Sequence, residues 1–310
     1  MLKRSVNYLI TRYKKYQKNL IIMKILKILS VFIVCLTLII SCTKEDDFIE
    51  ENVIDTNQKT TTQENQKYPE IAKKLESMYF NTDELELIEL ELLDGTIKEM
   101  FLVEGDIIFS RKEIEEMKME GEPGTRQYHT WNLVNNGTYT IIGYTGNNSN
   151  GLSTNEQIAL SWAVDNYNRL NLDIHLNLSF GTNWVPKDIV VYRNSNIGFT
   201  GGLSDFPSGG KPYKFVQING LGSYTTNVVE HVITHEIGHS FGLRHTDWRT
   251  RISCGSGSSG ESGGFFGLNA MHIPGTPTGY DPNSLMLACF SSTEDGEFGY
   301  YDKVALRYLY

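Results

Sequence analysis

Residues 127–310 predict an α+β (α/β) fold, and three observations carry the prediction. Strand-like and helix-like runs follow one another in the order strand, helix, then four more strands. A helix dense in histidine comes directly after the last strand. The Gly-rich run Thr200–Phe206 ends at Pro207, which suits an edge strand because proline cannot donate to a ladder.

In chain order, residues 24–40 are apolar behind two lysines, the pattern of a secretory signal. The run ends in Ile39-Ile40-Ser41-Cys42, which resembles a bacterial lipobox. That resemblance implies a lipid on Cys42 and an exported lipoprotein, at a bacterial outer membrane or cell surface or released after processing. An uncleaved anchor is the alternative, although a span needs ~20 apolar residues. Met23 offers a second start, which would make 1–22 an upstream extension. Lys44 and the acids Glu45, Asp46 and Asp47 are similar to the surface-export signal of Bacteroidetes lipoproteins; a solvated acidic tether reads equally well. The polar residues up to 67 form a linker.

Residues 68–126 read as a small acidic α+β unit, a candidate prosegment. Ile71, Leu75 and Met78 share one face of a short helix within 68–79. Leu85–Leu93 alternates acid with aliphatic, as a strand with one wet face does. Asp94-Gly95 marks a hairpin turn into Ile97–Val103. Ser110 with Glu113 forms a capping-box pattern that opens a helix over 111–119. Residues 121–127 are a loop with a basic cleavage point at Arg126.

The body starts near 127. Strands are expected at Thr138–Tyr144, His175–Phe180, Asp188–Tyr192, Thr200–Phe206 and Lys214–Ile218, with a helix from Ser153 to Leu170. Val228, Val229, Val232 and Ile233 lead a further helix into the histidine stretch. Residues 255–267 form a Gly-Ser-Phe loop, and Tyr300–Tyr308 closes the chain as a helix.

Charge separates these parts. Residues 1–42 hold 8 Lys+Arg and no acid; residues 43–126 hold 10 Lys+Arg against 23 Asp+Glu; the body holds 10 against 14. A mildly acidic body argues against a nucleic-acid surface, which is basic. The two body cysteines, Cys254 and Cys289, suit one disulfide in an exported chain, or two free buried thiols.

The chemistry concentrates in His235–Asp247, HEIGHSFGLRHTD. On a helix, His235 and His239 lie one turn apart on the same face and can grip one Zn²⁺. Gly242 offers a helix stop, after which His245 returns as a third ligand. Three protein ligands leave an open position for water, which a catalytic zinc brings toward a pKa of ~7. Glu236 is the expected general base. His231 lies one turn earlier and is expected to be structural. Asp247 is either an acid that orients a ligand or an exposed carboxylate.

The stretch matches His-Glu-x-x-His-x-x-Gly-x-x-His, the metzincin signature. It resembles more closely the bacterial dual-action HEIGH metallopeptidase family, on His-Glu-Ile-Gly-His, Arg244-His245-Thr246-Asp247, residues 273–279 and the Tyr-Leu-Tyr end. The resemblance implies a zincin/metzincin fold: a twisted, mixed sheet of about five strands with an antiparallel edge strand, an active-site helix, and a C-terminal subdomain with a methionine turn and a final helix. It implies that Ser284-Leu285-Met286 is that turn, with Met286 as a hydrophobic floor, and that 200–207 pairs with an extended protein or peptide substrate. Astacins and serralysins carry a tyrosine two residues after the turn methionine; here that position is Ala288. Astacin-type prosegments block zinc with an aspartate in a similar setting to Val103-Glu104-Gly105-Asp106, so Asp106 is either a latency ligand or part of an ordinary strand-end turn. With no cysteine in 43–126, a cysteine switch is excluded.

The expectation is therefore an exported, lipid-anchored zinc endopeptidase made as a latent precursor. Two rivals are a gluzincin-type peptidase, which would use a downstream glutamate in place of His245, and a surface adhesin with a structural zinc. Nothing in the sequence decides for or against calcium.

Overall fold

The computed structural model describes residues 67–117, 128–130, 132–255, 271–277 and 280–310. Cys42, the linker, Arg126 and nearly all of the 255–267 loop lie outside the described residues. Those described belong to one of the chain's two compact units, Asp55–Tyr310. Among them, no helix is long and apolar enough to cross a membrane.

The acidic unit comes first. Helix α1 (Pro69–Ser77) leads to strands β1 (Glu86–Glu91), β2 (Ile97–Val103) and β3 (Ile107–Phe109), then to helix α2 (Arg111–Glu116). The three strands pair antiparallel in sequence order. Alternation gives the sheet two buried faces. Phe101, Val103, Ile107 and Phe109 pack on Ile71, Leu75 and Ile114 of the helices. Leu90, Leu92, Met100, Leu102 and Ile108 pack on Ile197 and Leu203 of the body. The capping box of Ser110 and Glu113 is present. Helix α2 ends at Glu116, short of 119, because Met117 adopts extended geometry.

The body is a mixed α+β structure around five strands. These are β5 (Gly137–Tyr144), β6 (Ile174–Gly181), β7 (Ile189–Arg193), β8 (Gly201–Leu203) and β9 (Phe215–Asn219). Their order is β6-β5-β7-β9-β8. All neighbours are parallel except β8, which pairs antiparallel with β9 at the edge. The short β4 (Tyr128–His129) pairs with β10 (Met271–His272) apart from this sheet.

Helices α3 (Thr154–Asn168) and α4 (Thr226–Phe241) share the large core with the sheet. Ala159, Leu160, Ala163 and Tyr167 of α3 meet Val229, Ile233, Ile237 and Phe241 of α4 over Ile141, Ile189, Val191 and Val216 of the strands. Each large side chain buried there stabilises the fold by about 1.5–3 kcal/mol. Ser153 and Glu156 cap α3 reciprocally, and Glu156 also pairs with Arg193 at 2.6 Å.

The edge strand is shorter than the expected 200–206. It stops at Leu203 because Ser204 gives its backbone bonds to the acidic unit. Ser204 N–H donates to the Asp106 carbonyl and Ile108 N–H to the Ser204 carbonyl, both at 3.0 Å. The resulting bridge is parallel.

Helix α5 (Tyr300–Leu309) closes the chain. Asp302 in its first turn accepts from Ser284 Oγ, Leu285 N and Gly299 N at 2.8, 2.8 and 2.9 Å. One carboxylate thereby ties 284–285 to the last helix.

Between α3 and α4, Asn166 Nδ2 donates to Glu230 at 2.8 Å. Burial pushes Glu230 up to about 7, against the opposing pull of Asn166 and Arg169. A carboxyl raised on folding stabilises the fold while protonated. Its contribution is complete below the ordinary value of 4.5 and is lost as pH rises through about 7. Glu230→Gln should therefore gain thermal stability relative to wild type as pH is raised from about 5 to about 8. A constant difference in melting temperature across that range would contradict the assignment.

Candidate active site

Helix α4 is buried on all sides from Val228 to Phe241, which fixes the rotation of its histidines. It ends at Gly242, whose φ of 105° lies in the left-handed region. Gly242 N–H bonds to the His239 carbonyl, and Leu243 N–H to the Gly238 carbonyl, so the chain turns back over the helix. That turn brings His245 to the other two imidazoles. His239 Nε2 lies 3.2 Å, and His235 Nε2 3.3 Å, from His245 Nε2.

The opposite nitrogens are held. His235 Nδ1 meets the Leu285 carbonyl at 2.9 Å, His239 Nδ1 the Leu243 carbonyl at 2.8 Å, and His245 Nδ1 a carboxylate oxygen of Glu104 at 2.8 Å. Donating to these oxygens keeps the Nδ1 protons and turns three Nε2 lone pairs toward one point.

Asp106 faces that point. Its Oδ2 lies 2.9 Å from His245 Nε2 and 3.3 Å from His235 Nε2, and its Oδ1 lies 3.9 Å from His239 Nε2. Ligand atoms from the four residues lie within 4.8 Å of one another. Burial opposes ionisation of Asp106, but the three imidazoles outweigh it and hold the carboxyl well below the usual range. Burial likewise lowers His245, yet Asp106 and Glu104 hold it up at about 9. Burial, with His235 beside it, draws His239 down to about 4. The groups around the point are thus three imidazole nitrogens and one ionised carboxylate.

Three imidazole nitrogens and one carboxylate oxygen make a donor set that suits a divalent metal such as zinc. Two residues lining the same cavity each leave a buried oxygen over. Asp106 Oδ1 and Glu236 Oε2 have no hydrogen-bond partner among the described residues. The residues present therefore fit a metal.

Glu236 is buried beside the cluster. Burial and the Asp106 carboxylate push it well above the usual carboxylate range. It packs against the edge strand at Gly202, where a Cβ would come within 2.4 Å of its Cγ and Oε1. A cavity of about 210 Å³ opens there, lined by Asp106, Gly202, His235, Glu236, Arg251 and Phe290 among others. His231 and Ala288 also line it.

Met286 is buried under the helix turn between His235 and His239. A Cβ at Gly238 would lie 2.7 Å from its sulfur. Its carbonyl accepts from Thr246 N at 2.8 Å, next to His245. Asp247 is buried, not exposed, and its carboxylate bonds to Ser253 N and Oγ and to Ala288 N. It ties the segment after the third histidine to the segment after Met286, and the imidazoles have other partners. Cys254 and Cys289 form a disulfide that joins the same two segments.

Sequence reasoning assigned no role to Glu104, Arg244 or Arg251. Glu104 is 1 % exposed, and its second oxygen accepts from Asn81 N at 2.9 Å and pairs with Arg244 at 3.5 Å. Arg244 also donates to the Met78 and Tyr79 carbonyls and lies 3.9 Å over the Phe80 ring. Arg251 bonds to the Glu104 carbonyl and the Glu84 carboxylate, both at 2.9 Å. The one available signal was that Glu104 sits two residues before Asp106 in an acidic segment.

A fold with three histidines and an aspartate gathered about one point is that of a metallopeptidase on the following evidence. The family model described as dual-action HEIGH metallo-peptidase matches residues 101–310, and the chain belongs to that family. Two solved structures of myroilysin resemble it at 14% and 12% identity. The first covers 56% of this chain and 79% of its own at a TM-score of 0.34; the second covers 64% and 95% at 0.33. Likeness at those scores fixes neither fold nor site. A search of curated proteins finds no match.

Gly202→Ala would press a methyl group onto the Glu236 carboxylate. Peptidase activity should fall about 10²-fold, the usual effect of a 1 Å misplacement, in a chain that stays folded. Wild-type activity in the folded variant would show that Glu236 does not need that space.

Proposed function

We propose that the chain is a zinc endopeptidase, held latent by residues 68–126 and exported as a lipoprotein anchored through Cys42. The observation that carries this reading is the convergence of three histidine Nε2 atoms with Asp106 facing them. His235, His239 and His245 would hold the zinc. When bound there, zinc lowers the pKa of water and polarises a carbonyl.

Glu236 is the general base in this reading. Its buried, raised carboxyl suits taking a proton from water and returning it to the leaving amine. Met286 forms the floor of the site as the methionine of a metzincin-type turn. The edge strand β8 lines the cavity and suits an extended peptide laid antiparallel along it. Ala288 has no side chain that can stabilise an oxyanion, so that role falls outside the tyrosine position used by astacins. The apolar run ending at Cys42 supports export and anchoring, and the acidic excess of 43–126 suits a segment that binds Arg244 and Arg251.

Asp106 is the latency ligand. Its carboxylate takes a place beside the three imidazoles, while its own carbonyl and the Ile108 N–H bond to Ser204 at the end of the edge strand. Cutting near Arg126 would free residues 68–126 from the body.

Two outcomes test the reading. Processed chain should cleave casein, lose that activity to a chelator and regain it with Zn²⁺. Glu236→Gln should lower turnover by about 10²–10⁴-fold while keeping its zinc. Chelator-resistant cleavage, or an active Glu236→Gln enzyme, would sink the mechanism. Separately, uncut Asp106→Ala precursor should already cleave casein; if it stays as inactive as the uncut wild type, Asp106 is not the latch.

A further inference from the structure

The three histidines are not held alike. The Nδ1 acceptors of His235 and His239 are the carbonyls of Leu285 and Leu243, both in the body. The acceptor of His245 Nδ1 is the Glu104 carboxylate, in the acidic segment 141 residues away in sequence. A carboxylate on the far nitrogen of a metal-binding imidazole fixes its orientation and makes it a stronger donor.

Glu104 is built into that position. Its φ of 55° is left-handed, a strained conformation for a residue with a Cβ that persists only where the surroundings enforce it. Three donors converge on its carboxylate: His245 Nδ1, Asn81 N and the Arg244 guanidinium. Both oxygens accept, so an amide of the same shape cannot serve. Arg251 holds the Glu104 carbonyl from the other side.

We propose that Glu104 is a positioning residue that completes the metal site through His245, so that the chain captures its metal while the acidic segment is in place and holds it less tightly once that segment has gone. This rests on the three-histidine reading above. The same hairpin then does two opposed things: Asp106 blocks the metal, and Glu104 strengthens the site that binds it.

The test is the Zn²⁺ affinity of the full-length, uncut chain, measured by competition with a chromophoric chelator. Glu104→Gln, which keeps size and shape, should weaken binding by about 10–100-fold. A purely structural role would instead lower the melting temperature of the metal-free chain and leave affinity alone. His239→Ala separates the two readings. If it loses zinc while Glu104→Gln binds as wild type, the Glu104 proposal is overturned and the metal site stands. If His239→Ala also binds as wild type, the three-histidine site itself is wrong, and the proposal falls with it. Should Glu104→Gln fail to fold, the uncut Asp106→Ala chain is compared with its processed form. A fall in affinity on processing, with Asp106 already gone, supports the proposal; equal affinity overturns it.

Discussion

Three imidazole nitrogens whose lone pairs meet at one point are the constraint on which the rest of this structure depends. Left to themselves, buried lone pairs a little over 3 Å apart are unfavourable, and only a cation or protons relieve them. The protein therefore has to force the geometry. A helix buried on all sides sets two of the rings, a left-handed glycine turns the chain back to deliver the third, and Met286 fills the space beneath. Asp302 anchors 284–285 to the last helix and so reaches the Leu285 carbonyl that orients His235. Asp247 and the Cys254–Cys289 disulfide tie down the segment that follows His245. Residues spread over much of the body converge on holding one small volume still.

Electrostatics extends that theme into the acidic unit. Glu104 is buried and Asp106 partly so, and both are held ionised against burial by the basic groups they face. Taking such charges out of water is costly unless each is paired and hydrogen-bonded. The structure meets the cost with His245 beside both carboxylates and Arg244 beside Glu104. The acidic unit thus sets carboxylates against His245, Arg244 and Arg251 of the body.

What could be read from the sequence was whatever is local. The capping boxes at Ser110 and Ser153 involve residues three apart and appear in the structure. The histidine helix and its stop at Gly242 follow from spacing and from glycine's freedom at positive φ. The five strands were legible from short β-rich, alternating or apolar runs and from a Gly-rich run that ends at proline, but the length of β8 was not, because it is set by bonds between Ser204 and a segment nearly a hundred residues earlier. Asp106 was legible only as one of two readings. Glu104 was legible only as an acid two residues before Asp106: its partner is 141 residues distant, and nothing in Val-Glu-Gly-Asp separates the acid that faces an imidazole Nδ1 from a solvated one. Asp247 was read as a ligand-orienting or exposed acid, whereas its bonds to Ser253 and Ala288 depend on the closure of two loops.

The covering strand meets the edge of the sheet in the parallel sense at Ser204. A peptide laid antiparallel along the same edge would run the opposite way. At Ser204 such a peptide would compete with two backbone hydrogen bonds rather than with a full ladder.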